Sequence, residues 1–420
     1  MLKSPGKGKI GILVGGGPAP GINSVISSVT IEAINLGFEV VGFYDGFLHL
    51  AEGVRNFTKL EIQTVSRIQG SGGSLLRTSR FNPTKDPEHL ERAVRTIVGL
   101  NITHLVTIGG DDTAYSAMQI SRFAQENMGI VLRVAHVPKT IDNDLPLPEG
   151  IPTFGYQTAR EVGAAIIANL MEDAKTTRRW YFAVVMGRSA GHLALGASKS
   201  AGATLTIIPE EFQASIKISH IADIIVGSII KRIVNDRPYG VAVLAEGLVE
   251  RIDSDDLAII DGVERDAHGH LRLSEVNFSD IVKQAVKKSL SDFDISLTLV
   301  DKEIGYELRC APPCAYDVDY CRNLGYAAVE FLVAGGSNAL MSIQGNSIVP
   351  INFSDIQDPE TGRTRVRLVN TESLQYKIAR HYMIRLEKSD LDDNLSLERL
   401  ATAAGVKPQS ILDKFSYLFD

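Results

Sequence analysis

Lys9-Ile10-Gly11-Ile12-Leu13-Val14-Gly15-Gly16-Gly17-Pro18-Ala19-Pro20-Gly21-Ile22-Asn23 decides the fold. Residues 9–14 are an apolar run without polar alternation, the pattern of a strand covered on both faces. Glycines and prolines then break the run, and Val25, Ile26, Val29, Ala33 and Ile34 fall on one face of a helix over 23–36, with Asn23 as its expected N-cap. A buried strand that turns through glycine into a helix opens a parallel α/β unit. Glycines in such a turn let backbone N–H groups approach a phosphate at the helix N-terminus. Taken alone, the turn reads equally well as a tight connection, and its spacing matches neither the dinucleotide GxGxxG nor the Walker GxxxxGK[ST] pattern.

Further short apolar runs follow at 38–43, 104–108 and Val134–Val137, separated by helix-like stretches. The alternation recurs after residue 156, with a long helix through Asn169-Leu170-Met171 and strands at 180–185, 204–208 and 240–244. A second α/β lobe is expected. Residues 251–276 are charged and glycine-containing, Gln357–Arg367 reads as a turn-rich surface excursion, and the tail from about 385 reads as helical and amphipathic. Low-complexity tracts and short repeats are absent.

With 420 residues, 44% apolar and 22% charged, the chain can bury a sizeable core. A net charge of −7 argues against general affinity for nucleic acid or an anionic membrane. No apolar run approaches the ~20 residues that span a bilayer, and the start lacks a signal-peptide core. Cys310, Cys314 and Cys321 are too few for a disulfide framework. A soluble cytoplasmic protein is expected, with the thiols reduced rather than metal-bound and His268-Gly269-His270 forming a hairpin tip.

Two clusters after the early strands carry chemistry. Gly109-Gly110-Asp111-Asp112-Thr113 follows a strand at the sheet edge where open α/β sheets bind ligands. Its paired carboxylates suit Mg2+, which takes one or two protein carboxylates plus phosphate oxygens; singly, they serve as well as a helix N-cap. Pro138-Lys139-Thr140-Ile141-Asp142-Asn143-Asp144 concentrates a cation, a hydroxyl and carboxylates in one loop. That set is expensive to fold unless it acts on a charged ligand. It suffices for phosphoryl transfer, with an aspartate to accept a proton and a lysine to hold the transferring charge.

Anion binders recur in Gly72-Gly73-Ser74-Leu75-Leu76-Arg77-Thr78-Ser79-Arg80, in Met186-Gly187-Arg188-Ser189-Ala190-Gly191 and in Gly305-Tyr306-Glu307-Leu308-Arg309. Arginine suits bidentate phosphate contact, although each of these is equally a surface arginine beside a turn. Glu246 ends a strand of the second lobe, where a carboxylate either accepts sugar hydroxyls or faces water.

In their order, GGGPAPGIN, GGDDT, PKTIDND, MGRSAGHLAL, AEGL and GYELR resemble the phosphofructokinases over most of residues 9–340. The resemblance implies two Rossmann-like lobes with parallel sheets and the active site in the cleft between them. It implies residues 1–155 as a donor and Mg2+ lobe completed by about 311–340, residues 156–310 as a sugar-phosphate lobe, and 341–420 as a largely helical segment on the second lobe. The implied reaction is transfer of a phosphoryl group to the 1-hydroxyl of fructose 6-phosphate. Asp142 would be its base, Thr140, Ile141 and Asp144 would arrange the transferring group, and Asp111 would organise the metal. Gly16 and Arg80 would bind the donor. Met186, Gly187, Arg188, Glu246, Tyr306, Glu307, Leu308 and Arg309 would hold the sugar phosphate. Arg179 matches an arginine that reaches the 6-phosphate from a neighbouring subunit, implying a homodimer or homotetramer with shared sites. Lys302 stands near a second basic position of that kind.

Asp112 and Lys139 replace smaller residues of the ATP-using branch and follow the pyrophosphate-dependent pattern. A carboxylate at 112 would repel the α-phosphate of ATP, and Lys139 would supply a cation to a donor that has no adenine to anchor it. Inorganic pyrophosphate is therefore the expected donor. The alternatives are an ATP-dependent enzyme and a non-catalytic regulatory subunit; the latter would be expected to lose Asp142 or Lys139.

Overall fold

A computed structural model describes residues 8–259, 276–358 and 364–419. The chain forms two compact units, Met1–Ala159 with Tyr306–Arg367, and Arg160–Gly305 with Leu368–Asp420. Its strands begin with β1 (Lys9–Val14), β2 (Glu39–Phe43), β3 (Phe57–Leu60), β4 (Ile102–Gly109) and β5 (Arg133–Pro138). The second unit supplies β6 (Arg179–Val185), β7 (Leu205–Ile207), β8 (Gly240–Ala245) and β9 (Thr298–Ile304). The chain then returns to the first unit for β10 (Ala339–Leu340), β11 (Ile343–Gln344), β12 (Ser347–Ile348) and β13 (Ile351–Asn352).

In the first unit a seven-stranded sheet runs β13-β10-β5-β4-β1-β2-β3. Its middle strands are parallel, while β3 and β13 pair antiparallel at the edges. Ile10, Ile12, Leu13 and Val14 are completely buried, as an unbroken apolar run requires. Because β1 continues to β2 on one side and lies beside β4 on the other, the sheet reverses its direction of growth at β1. The crevice outside the carboxyl ends of β1 and β4 is where such sheets take ligands.

Helix Ile22–Asn35 starts one residue earlier than expected, and its N-cap is Gly21 at φ 104 rather than Asn23. A side chain at Gly21 would collide with Cys321 Sγ, so glycine is needed there for both space and conformation. Asn23 instead ties down the glycine-rich loop. Its Nδ2 donates to the carbonyls of Ser71 (3.1 Å) and Gly72 (3.3 Å), and its Oδ1 accepts from Leu75 N–H at 2.8 Å.

In the second unit four parallel strands run β7-β8-β6-β9. Trp180, Phe182, Ile225 and Ile229 share their core with Leu386, Leu397, Leu400, Ile411 and Phe415, so residues beyond 368 complete it. Arg385 pairs with Glu211 at 2.6 Å, and Ile384 N–H donates to Thr204 at 2.8 Å. Residues 341–367, expected on the second lobe, belong to the first unit. The cause is pairing: Ala339 and Leu340 register with Ala135 and His136 of β5, and β13 pairs with β10.

The boundaries expected at 155 and 310 fall at 159 and 305. The buried Asp317 accounts for the first shift. It accepts from Gly155 N–H (2.9 Å), Thr158 N–H (2.7 Å) and Thr158 Oγ1 (2.6 Å), holding the first turn of helix Tyr156–Thr177 in the first unit. Burial pushes its carboxyl pKa up, and these hydrogen bonds oppose that rise. Among the described residues no helix is long and apolar enough to cross a membrane. Cys310 is exposed, Cys314 half-buried and Cys321 buried, all with free thiols. His268-Gly269-His270 lies outside the described residues.

Candidate active site

The three glycines after β1 act differently from the expectation. Gly15 N–H donates to Ile108 O (2.9 Å) and Gly16 N–H to Ser79 O (2.8 Å), so both donors are taken by the backbone and not held out for a phosphate. What these glycines provide is the lack of a side chain. A Cβ on Gly16 would lie 3.5 Å from Lys139 Nζ, and one on Gly17 would lie 3.5 Å from the Arg309 guanidinium carbon. Lys139 is 4% exposed and donates from Nζ to Gly17 O at 2.5 Å, while its N–H donates to Gly109 O at 2.8 Å. Arg309 also lies over the Tyr306 ring, 4.9 Å from its centroid. Two cations therefore meet at the switch point of the sheet.

Thr113 wedges between the turns after β1 and β4, where side chains on Gly15 or Gly109 would collide with it. Asp111 and Asp112 open helix Asp111–Met128 and its N-cap is Gly110, so neither aspartate is the cap. Asp111 is half-buried and Asp112 exposed. Hard carboxylate oxygens in the first turn, beside cations suited to phosphate, fit Mg2+. Among the described residues no group of three or more His, Cys, Asp or Glu could hold a metal. An ion here would take its remaining ligands from substrate and water.

His136, which the sequence reading passed over, supports this edge from below. It is fully buried, with Nε2 3.0 Å from Gly109 O and Nδ1 2.9 Å from Thr107 Oγ1. Since a carbonyl only accepts, Nε2 carries the proton. Burial lowers its pKa to about 3; the hydrogen bond to Gly109 opposes the shift and the Lys139 charge adds to it. The ring stays neutral and fixes Gly109. A lone polar residue inside an apolar strand was the available signal.

Past Lys139, Asp142 N–H donates to Thr140 Oγ1 at 3.0 Å, and Asp142 is 9% exposed. Asn143 between the two carboxylates is left-handed at φ 59, and its Oδ1 accepts from Thr153 N–H at 3.0 Å. Thr153 Oγ1 closes the loop by donating to Thr140 O at 2.7 Å. Ile141 is buried and anchors the loop, whereas Asp144 is half-buried. Arg80 is exposed, next to the Ser79 carbonyl that holds Gly16.

The remaining expected residues divide between the units. Tyr306, Glu307, Leu308 and Arg309 form a short helix of the first unit. Tyr306 and Glu307 are exposed, and Leu308 is completely buried, so its side chain packs in the interior. Met186, Gly187 and Arg188 follow β6 in the second unit, with Arg188 exposed and left-handed at φ 51. Glu246 Oε2 accepts from Gly187 N–H (3.1 Å) and Arg188 N–H (3.0 Å), so this carboxylate shapes the turn. A Cβ on Gly247 would come 2.5 Å from Arg188 O, which explains why glycine follows Glu246. Arg179 opens β6, the opposite end from Met186, and its Nε lies 3.8 Å from Asp173. At ~3.3 Å per residue the strand puts roughly 20 Å between them.

These features agree with comparisons to known proteins. A sequence profile described as phosphofructokinase matches residues 9–332. The chain is 52% identical to the pyrophosphate--fructose 6-phosphate 1-phosphotransferase of Thermotoga maritima, covering 97% of this chain and 98% of that one. It is 47% identical to the Naegleria fowleri protein of the same name, covering 97% and 95%. The crystal structure of a pyrophosphate-dependent phosphofructokinase from Nitrosospira multiformis shares the fold, with a TM-score of 0.69 at 18% identity over 94% of this chain and 91% of that one. On these matches, and on the turns that carry its motifs, the chain belongs to the phosphofructokinase family.

Proposed function

We propose that this protein transfers a phosphoryl group from inorganic pyrophosphate to the 1-hydroxyl of fructose 6-phosphate, reversibly, as a cytoplasmic enzyme of glycolysis and gluconeogenesis. The observation that carries the choice of donor is the buried Lys139, held to Gly17 O at the switch point of the first sheet, with Asp112 in the first turn of the helix after β4. The names of the relatives at 52% and 47% identity support the same choice.

Asp142 accepts the proton of the attacking hydroxyl, with its backbone fixed by Thr140. Lys139 holds the negative charge of the transferring group and leaving phosphate, with Arg80 at the rim; Arg309, expected to hold the sugar phosphate, reaches toward Gly17 in the same turn and can share that role. Asp111, helped by Asp112, would hold Mg2+, which when bound supplies charge neutralisation of the phosphate oxygens. Met186, Gly187 and Arg188 take the sugar phosphate, on a turn set by Glu246. Tyr306 and Glu307, assigned to the same ligand, are exposed on the first unit. Arg179, a strand's length from that turn, serves the site of a neighbouring copy in a homo-oligomer.

Assaying the purified protein with each donor tests this reading. Pyrophosphate should be used far better than ATP at equal concentration, and phosphate should drive the reverse reaction from fructose 1,6-bisphosphate. A preference for ATP overturns the donor assignment. An active monomer in sedimentation overturns the shared site.

A further inference from the structure

Gln357–Arg367 was expected to be a surface excursion, yet its last residue is half-buried and tied to the loop that carries Asp142. The Arg367 guanidinium donates from Nε to Asn143 O at 3.0 Å and from Nη2 to Asn143 Oδ1. Its Nη1 donates to the carbonyls of Leu147 (3.2 Å), Pro148 (3.4 Å) and Ile151 (2.8 Å). The backbone N–H of Arg367 donates to Asp144 O at 2.7 Å. Each guanidinium nitrogen thus donates to one segment, 143–151. That segment contains Pro146 and Pro148, which have no N–H and cannot form the usual turn bonds.

The focus of these bonds is Asn143, which is left-handed at φ 59. Left-handed backbone is unfavourable for a residue with a side chain and persists only when its surroundings impose it. Its side chain is held by Arg367 and Thr153, its carbonyl by Arg367, and the next carbonyl by the Arg367 N–H. The conformation of Asn143 sets the directions in which Asp142 and Asp144 leave the chain. We propose that Arg367 is a positioning residue for the phosphoryl transfer, holding Asn143 left-handed so that Asp142 and Asp144 keep their orientation. Arg367 acts through these neighbours and is not itself a catalytic residue. The inference rests on Asp142 being the base.

The test compares Arg367→Met and Arg367→Lys in the full-length protein, with Asp142→Asn as control, using pyrophosphate and fructose 6-phosphate. Arg367→Met should lower kcat at least tenfold while both KM values stay within about threefold and the folded fraction is unchanged at the assay temperature. Arg367→Lys, which keeps a charge but offers fewer donors in another geometry, should lose less. In an Asn143→Gly background, where φ above zero is unstrained, Arg367→Met should cost less than it does in the parent. A kcat of folded Arg367→Met within twofold of the parent overturns the proposal, as does a loss seen in KM instead of kcat or one fully additive with Asn143→Gly. Failure of both Arg367 variants to fold assigns the residue to stability and also overturns it. If Asp142→Asn keeps its activity, the assignment of the base falls instead, which separates the two failures.

Discussion

The turn after β1 in the first unit is locked backbone to backbone, with Gly15 and Gly16 donating to the carbonyls of Ile108 and Ser79. In the second unit the turn after β6 has backbone bonds from Met186 to Ile304 O and from Ala190 to Gly187 O, and adds a side chain, Glu246, which accepts from Gly187 and Arg188. In both, N–H groups of a glycine-rich motif are already engaged: those of Gly15 and Gly16 in the first, and of Gly187 and Arg188 in the second. On the proposed function, the side chains of Lys139 and Arg309 in the first unit and of Arg188 in the second would carry anion recognition. The units differ in what a single substitution can disturb. The first turn has backbone bonds at Gly15 and Gly16 besides the Lys139 bond to Gly17 O, so replacing Lys139 tests how much of its shape the backbone alone holds. In the second, the N–H groups of Gly187 and Arg188 are held by one carboxylate, so replacing Glu246 tests that turn as a binding element.

The largest effect should come from Asp142→Asn, which keeps the shape of the side chain and removes the proton acceptor. It should cut kcat by roughly 10² to 10⁴ with melting temperature and KM for fructose 6-phosphate little changed; steady-state rates and thermal denaturation measure both. Lys139→Met should lower kcat with pyrophosphate by about 10² to 10³, the cost of removing one preorganised donor to a developing charge. The Gly15 and Gly16 backbone bonds should survive, and a crystal structure of the variant checks that. A rearranged turn would erase the contrast between the units.

Glu246→Gln replaces a charged acceptor with a neutral one. Charge-assisted hydrogen bonds are worth about 1.5–3 kcal/mol, so KM for fructose 6-phosphate should rise about tenfold or more, with KM for pyrophosphate unchanged. Equal changes in the two constants would mean that the second turn is not a separate binding element. Outside the rate comparison stands a stability effect, the pH response of His136. Its pKa is about 3 in the folded protein against an ordinary 6.5. Between those values the unfolded chain binds the extra proton, so stability falls as pH drops below 6.5, by at most about 1.4 kcal/mol per pH unit. Urea denaturation of wild type and His136→Asn across pH 4–7 should show a shallower acid slope in the variant.

How much could be read in advance follows from the physics of each feature. The central strands announced themselves because strands covered on both faces are continuous apolar runs, as residues 9–14 are. The loop at 138–144 stood out because its charges make little sense without a ligand. Two-residue strands such as β10 and β13 have no period to detect. Asn23 met the composition rule for a cap, but the loop it holds lies about fifty residues on, beyond any local pattern. Glu246 was recognisable as a carboxylate at a strand end, while its partners in another strand's turn were not. Arg367 lies 224 residues from Asn143, and nothing in its surrounding sequence marks it.

Both units are discontinuous, with residues 306–367 closing the first and residues from 368 onward closing the second. This matters while the protein is being made. When β9 leaves the ribosome, the first sheet still lacks β10 and β13, and the second core lacks Leu386, Leu400, Ile411 and Phe415. At ~5–20 residues per second, their synthesis takes on the order of ten seconds, during which two unfinished apolar surfaces of one nascent chain are open to chaperones and to each other.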